Sequence, residues 1–183
     1  MRADALGLLE LKQVARGIAA LDAMAKNADV EVLSAGPVCP GKYLAIVRGD
    51  VSSVRAAIET AEAHAVGLLY DSFVVGSLHE EVFSAVCGMG PRPKVGDSIG
   101  MVETFSAASA VKAADAAAKA AGVTLVDVRL SRGMGGRAFV LFCGGVGACQ
   151  AAVDAAAGLV AADGLLVDAA VLAAPHADLL ATL

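Results

Sequence analysis

The chain has 183 residues, of which 57% are hydrophobic and 4% aromatic, and its formal net charge is -5 at pH 7. This length is enough for one domain or two small ones with a hydrophobic core. The longest charge-free run, between Arg137 and Asp154, is interrupted by glycines and is shorter than the roughly 18–20 apolar residues that a membrane span requires. The acidic balance, the lack of a run of basic residues and the few aromatic side chains argue against nucleic acid as a partner.

The beginning of the sequence, MRADALGLLELK, carries a charge every few residues and has no apolar stretch of the kind that directs export. We therefore expect a cytoplasmic protein that has no membrane partner. Its cysteines, Cys39, Cys87, Cys143 and Cys149, contain no CxxC pair. Because a cytosolic chain of this length does not need disulfides, we predict reduced thiols that lie mostly in the core.

The first half of the chain alternates between strand and helix patterns. Val14, Ile18 and Leu21 recur at helical spacing, whereas the stretches on either side are short apolar runs that are typical of strands. The predicted elements are a strand at 5–10, a helix at 13–27, strands at 30–35 and 42–48, a helix at 51–61 and a strand at 67–75.

The second half repeats both the element order and part of the sequence. Leu6-Gly7-Leu8-Leu9-Glu10 reappears as Ile99-Gly100-Met101-Val102-Glu103, and His79 falls on His176. The repeated elements are a strand at 98–103, a helix at 107–120, strands at 123–129 and 137–143, a helix at 146–161 and a strand at 164–172. The order β-α-β-β-α-β predicts a ferredoxin-like α/β sandwich in each half. We place the domains at 4–90 and 96–183, joined by the Gly- and Pro-rich segment 88–97.

Three stretches of the chain resemble the bacterial microcompartment shell domain: LGLLELKQVARGIAALDAMAKNADVEVL, KYLAIVRGDVSSVRAAIETA and IGMVETFSAASAVKAADAAAKAAGVTLVDV. Two copies in one chain are similar to the tandem-domain shell proteins, whose trimers mimic a hexagonal tile. The resemblance covers the chain from about Ala5 to Leu180. It implies two tandem βαββαβ domains, a homotrimer that forms a pseudohexamer, other microcompartment shell proteins as partners, and a structural rather than enzymatic role in the shell.

One subgroup of that family carries CPGK in the central loop of its first repeat, as this chain does at Cys39-Pro40-Gly41-Lys42. The subgroup is represented by the iron-sulfur shell proteins of propanediol-utilisation compartments. The resemblance implies a [4Fe-4S] cluster at a central pore, shared by three chains, with Cys39 as the ligand from each. A cubane cluster has three-fold axes, so three thiolates around a trimer axis can each bind one iron and leave the fourth open.

The residues beside Cys39 suit a rigid loop at such a pore. Pro37 and Pro40 restrict the backbone, and Gly41 permits a tight turn. We expect Lys42 to offset cluster charge and to lower the pKa of the thiol. An inert loop cysteine is the alternative interpretation. The residues that we assign to the first pore loop besides Cys39 are Val38, Pro40, Gly41 and Lys42.

The equivalent loop of the second repeat, SRGMGG, contains no cysteine. We expect Arg132, Gly133 and Met134 to alternate with the Cys39 loops around the pore. Together with Arg129 and Arg137, Arg132 would then form a cationic rim that favours anions. A solvated loop is the competing interpretation.

Another set of residues matches the lateral edges of the shell family. These are Lys26, Lys119, His79 and His176, which we expect at contacts between tiles. Lysines that simply stabilise the ends of helices are the alternative. The family's edge motif has an arginine two residues before the histidine, where this chain has Ser77 and Ala174, and this departure weakens the comparison.

The leading functional hypothesis is a shell tile whose cluster passes electrons across the shell or is delivered to an enclosed enzyme, with an enclosed or cytosolic redox enzyme as a partner. A cluster-free tile with a metabolite-conducting pore lined by Cys39 is the alternative. A free enzyme or a regulatory ferredoxin-like trimer is a third hypothesis. No serine or cysteine nucleophile with histidine and acidic support is visible, so we predict no catalytic residues.

Overall fold

The computed structural model describes residues 5–131 and 133–183, which fold into two compact units. Arg132 lies outside the described residues. The first unit contains β1 (Ala5–Leu11), α1 (Val14–Asn27), β2 (Glu31–Val38), β3 (Lys42–Gly49), α2 (Val51–His64), β4 (Leu69–Gly76) and the loop residues Ser131 and 133–136. The second contains α3 (Glu80–Val86), β5 (Ser98–Thr104), α4 (Ala107–Ala120), β6 (Thr124–Arg129), β7 (Ala138–Gly144), α5 (Val146–Ala162), β8 (Leu166–Leu172) and α6 (Ala177–Leu180).

Each unit is built on a four-stranded antiparallel sheet, and the strand order is the same in both. The orders are β2-β3-β1-β4 and β6-β7-β5-β8. Even the irregularities are repeated, because the edge strands shift register between Val32 and Ser34 in β2 and between Leu125 and Asp127 in β6. The predicted β-α-β-β-α-β order in each half is therefore confirmed, and the duplication extends to the details of the backbone.

The structure departs from the sequence-based prediction most clearly in the length of β2 and in two additional helices. Strand β2 continues to Val38, beyond the predicted end at residue 35, so only Cys39, Pro40 and Gly41 separate it from β3. The short helices α3 and α6 were not predicted. Helix α3 packs against β6 and α4 within the second unit.

Local side-chain caps explain where two of the longer helices begin. The Asp50 carboxylate accepts a hydrogen bond from the Ser53 N–H at the start of α2, and Ser106 Oγ accepts one from the Ser109 N–H at the start of α4. Such caps satisfy backbone donors that the first helical turn leaves without partners. Six of the nine alanines of α4 are buried, and the helix packs against α5, so small side chains allow a close approach there.

The helices of the first unit cover one face of its sheet through very close contacts. A Cβ atom placed on Gly7 of β1 would lie 2.7 Å from Val54 of α2. A Cβ atom on Gly17 of α1 would lie 2.4 Å from both Cβ and Cγ of Tyr43 in β3. Glycine at these two positions therefore sets the distance between helix and sheet.

Gly17→Ala should consequently destabilise the protein although alanine is the better helix former. Overpacking of this kind costs about 1–3 kcal/mol of the free energy of unfolding. The matched control is Gly158→Ala in α5, where no atom lies within 4 Å of the added Cβ. That variant should be stabilised by about 0.5–1 kcal/mol, because alanine loses less backbone freedom on folding. Urea unfolding of both variants checks the pair, and equal stabilisation of both would contradict the close packing at Tyr43.

Candidate functional site

Cys39 lies in the tight turn that joins β2 to β3. Val38, the last residue of β2, is buried, whereas the Cys39 thiol is half-buried and free. Gly41 adopts a φ of 81°, a left-handed conformation that a residue with a Cβ atom rarely takes. The Cys39–Pro40 peptide bond is cis. The thiol is thus carried on a very short connection between two paired strands.

The Gly-rich loop of the second repeat packs directly against this turn. The Cys39 N–H donates a hydrogen bond to the Ser131 carbonyl oxygen at 3.2 Å. Gly136 has a φ of 91°, and a Cβ atom on it would lie 2.7 Å from Pro40 Cδ and 3.0 Å from the Cys39 carbonyl oxygen. Only glycine fits this contact, so the two loops support each other's backbone.

A buried ion pair lies beneath the two loops. The Lys42 ammonium contacts the Glu10 carboxylate, and the two side chains are only 6% and 0% exposed. Lys42 Nζ also donates to the Gly136 carbonyl oxygen at 3.3 Å and lies 3.8 Å from the centre of the Tyr70 ring. The side chain therefore links β1, β3 and the second loop.

In this environment the Lys42 ammonium already has a carboxylate partner, and an effect of Lys42 on the thiol or on a cluster stays a prediction. The ammonium is engaged by Glu10, which neutralises the charge over a short distance. The role that the structure shows for Lys42 is to fix the start of β3, which begins at this residue immediately after the turn.

The second unit contains an equivalent pair in a more open setting. Arg137 lies 3.4 Å from Glu103, with side chains 52% and 34% exposed, and its guanidinium is 6.0 Å from the centre of the Phe105 ring. Glu10 and Glu103 thus both pair with a basic residue near the start of a neighbouring strand.

Arg129 is also paired with a carboxylate. Its guanidinium lies 2.8 Å from Asp127 and 5.2 Å from the centre of the Phe139 ring. Because Arg129 and Arg137 both carry counter-charges, the structure favours solvated, paired arginines over a purely cationic rim at these two positions. Met134 is half-buried and Gly133 exposed in the same loop.

The other cysteines differ from Cys39 in their surroundings. Burial raises the pKa of the Cys143 thiol to about 11, and burial also raises the pKa of Cys149, whose Sγ donates to the Ser98 carbonyl oxygen at 3.4 Å. Cys87, which we expected in the core with the other thiols, lies exposed immediately after α3. Among residues 5–131 and 133–183, no group of three or more His, Cys, Asp or Glu side chains is placed to hold a metal ion.

The residues assigned to tile edges occur in repeated local structures. Lys26 pairs with Asp22 and Lys119 with Asp115, each at 2.6 Å. His79 and His176 each accept a hydrogen bond through Nδ1 from the backbone N–H two residues later, at 3.4 and 3.3 Å. A contact with neighbouring tiles remains a prediction for all of these residues.

Comparisons with known proteins identify the duplicated fold. The model of the family described as the BMC domain matches residues 5–78 and again residues 98–175. The chain belongs to the BMC domain family. It is 40% identical over 173 residues, 94% of each chain, to the bacterial microcompartment shell protein PduT of Citrobacter freundii. It is also 37% identical over 84 residues to the shell protein PduA of Citrobacter freundii, a match that covers 45% of this chain and 90% of PduA.

Solved BMC structures agree with this assignment. A microcompartment protein from Desulfitobacterium hafniense is 39% identical, with a TM-score of 0.86 over 96% of this chain and 97% of that one. The fused permuted hexameric shell protein MSM0275 has a TM-score of 0.65 at 24% identity over 82% of each chain, which shows the shared fold alone. The chain is therefore a tandem-domain BMC shell protein, and its place is the shell of a bacterial microcompartment. None of the helices in the described BMC units has the length and apolar character that a membrane crossing requires.

Proposed function

We propose that this BMC protein is a non-catalytic, trimeric shell tile that binds one [4Fe-4S] cluster through the Cys39 thiolate of each chain. The observation that carries the proposal is the construction of the Cys39 turn. A free, half-buried thiol lies between two paired strands, and a second loop and a buried ion pair support it.

The donor set agrees with a cluster shared between chains. Cys143 and Cys149 are buried, and Cys39 is the cysteine that lies in the loop of the first repeat. One chain thus offers one suitable thiol in this loop, and three chains offer the three thiolates that a site-differentiated [4Fe-4S] cluster requires. A bound cluster would supply one-electron transfer.

The surrounding residues would act on the position of the thiol rather than as ligands. Lys42 holds the start of β3, and Gly136 and Ser131 hold the Cys39 backbone. A rigid set of ligands limits the change in geometry of the site when the cluster accepts an electron. We propose that such a site serves electron transfer across the shell to an enclosed or cytosolic redox enzyme. Delivery of the cluster to an enclosed enzyme is the other function that it could serve.

Iron and sulfide quantitation on anaerobically purified protein, with the oligomeric state measured on the same sample, tests the proposal. We expect about four irons and four sulfides per three chains, together with a visible absorption band. A trimer without iron or sulfide would overturn the cluster assignment and favour the cluster-free tile with a metabolite-conducting pore. Anaerobic handling matters because air oxidises exposed thiolates.

Assembly with other shell proteins tests the structural part separately. When the protein is co-expressed with a single-domain BMC shell protein, we expect it to co-purify with the assembled sheets or shells. Its exclusion from assemblies that otherwise form normally would contradict the tile function, whatever the iron content.

A further inference from the structure

Ser131 is the first residue of the Gly-rich loop of the second repeat, and its backbone is strained. It adopts a φ of 50°, a left-handed conformation that is unfavourable for a residue with a Cβ atom. The residue is also 0% exposed. Strain of this kind persists only where the surrounding contacts hold the residue in place. The contacts of Ser131 must therefore outweigh the strain.

Two hydrogen bonds of Ser131 connect the ends of its loop to the Cys39 turn. The Ser131 Oγ donates to the Gly136 carbonyl oxygen at 3.1 Å, which ties the first residue of the loop to the last. The Ser131 carbonyl oxygen accepts from the Cys39 N–H at 3.2 Å. The hydroxyl group thus closes the loop, and the carbonyl group of the same residue holds the Cys39 backbone. We call these two hydrogen bonds the serine clasp.

The serine clasp leaves the Cys39 turn with few backbone donors for a sulfur atom. Pro40 has no N–H, and the Cys39 N–H is already bonded to Ser131. In iron-sulfur proteins, N–H groups that donate to sulfur stabilise the additional negative charge of the reduced cluster, so they raise its reduction potential. A turn whose donors are missing or engaged elsewhere therefore keeps the potential lower.

We propose that Ser131 is a positioning residue that fixes the Cys39 backbone and keeps the reduction potential of the bound cluster low. This function of Ser131 rests on the cluster proposed above. It gives the second repeat a part in the site, although the SRGMGG loop contains no cysteine. The first repeat provides the ligand, and the second repeat orients it.

Hydrogen exchange of the Cys39 amide, measured on the full chain without iron, tests the serine clasp. Ser131→Ala removes the hydroxyl group that closes the loop but keeps the Cβ atom. We expect the Cys39 amide to exchange faster by roughly 2- to 10-fold, the range for a lost hydrogen bond. Ser131→Gly, which relieves the left-handed strain but also lacks the hydroxyl group, should change the rate in the same direction. Circular dichroism confirms folding, and unchanged exchange in the folded variants would overturn the clasp.

Ser106→Ala is the matched control for the exchange experiment. Ser106 is also 0% exposed, and its Oγ accepts a hydrogen bond from the Ser109 N–H, but it caps α4. This variant should lose stability without a change in exchange at Cys39. Equal acceleration in Ser106→Ala and Ser131→Ala would show that the Cys39 amide responds to stability in general, and this result would overturn the local role of Ser131.

A redox titration of the loaded protein, followed by visible absorption, tests the effect on the potential. Ser131→Ala should keep the iron and sulfide content of the unchanged protein, because Ser131 is not a ligand, and should shift the midpoint potential to a more positive value. Ser106→Ala should leave the potential unchanged. An unchanged or more negative potential in Ser131→Ala, even with lower cluster content, would overturn the effect on the potential.

The two proposals fail in different ways. A trimer of the unchanged protein that binds no iron would overturn the proposed function, and with it any effect of Ser131 on a potential. The exchange rate of the Cys39 amide would still decide whether Ser131 holds the turn, because that measurement needs no cluster.

Discussion

Cys39→Ala should abolish iron and sulfide binding and the visible absorption of the anaerobically purified protein, while the trimer persists. In the proposed site each chain contributes one thiolate, so the substitution removes all protein ligands at once. The loop itself should survive, because the Cys39 N–H still donates to Ser131 and Pro40 still contacts Gly136. Iron and sulfide analysis alongside light scattering measures both outcomes.

Cys87→Ala is the matched control for this variant. Cys87 is exposed and free, so it would bind adventitious iron more readily than the buried thiols, yet it lies at the end of α3 and not in the Cys39 turn. Cys143 and Cys149 are protonated at neutral pH, since burial raises the pKa of both thiols. Retention of a full cluster in Cys39→Ala, or its loss in Cys87→Ala alone, would contradict the assignment.

Lys42→Met should cost the protein about 3–5 kcal/mol of its free energy of unfolding, the range for breaking a buried ion pair by removing one partner. Methionine keeps much of the side-chain volume but leaves the Glu10 carboxylate, which is 0% exposed, without the ammonium. Chemical denaturation of the two proteins at equal protein concentration measures the effect.

The repeat provides an internal control for that prediction. Arg137→Met breaks the equivalent pair with Glu103, but that pair is about half exposed and should contribute only about 0–1 kcal/mol. Combining Lys42→Met with Glu10→Gln should recover part of the lost stability, since no buried charge remains. Equal losses at Lys42 and Arg137 would show that burial does not govern the strength of these pairs.

The elements and the position of the thiol could be predicted because their signals are local. Alternating and helical periods mark strands and helices over a few residues, and the Pro-Val-Cys-Pro-Gly stretch at 37–41 indicates a turn. Duplication added a second, independent copy of each pattern. The fold and the Cys39 turn therefore follow from short stretches of sequence.

The partners of Lys42 and of α3 could not be predicted in this way. Glu10 meets Lys42 because β1 pairs with β3 in a register that places Glu10 opposite Leu44. Lys42 precedes Leu44 by two residues, so its side chain lies on the same face of the sheet. Sequence periodicity assigns side chains to one face of the sheet, but it does not say which strand lies next to β1. Likewise, the contacts of His79 and Glu81 join residues far apart in the chain, and they depend on which sheet edge α3 reaches.

The register shift between Val32 and Ser34 has a consequence for unwanted pairing with other chains. Strand β2 is an edge strand with exposed apolar residues, and such edges can nucleate cross-β aggregation. A bulge at that point interrupts the regular row of donors and acceptors and increases the local twist, so a foreign strand cannot add along its full length. The irregularity therefore lowers the tendency of this sheet edge to aggregate.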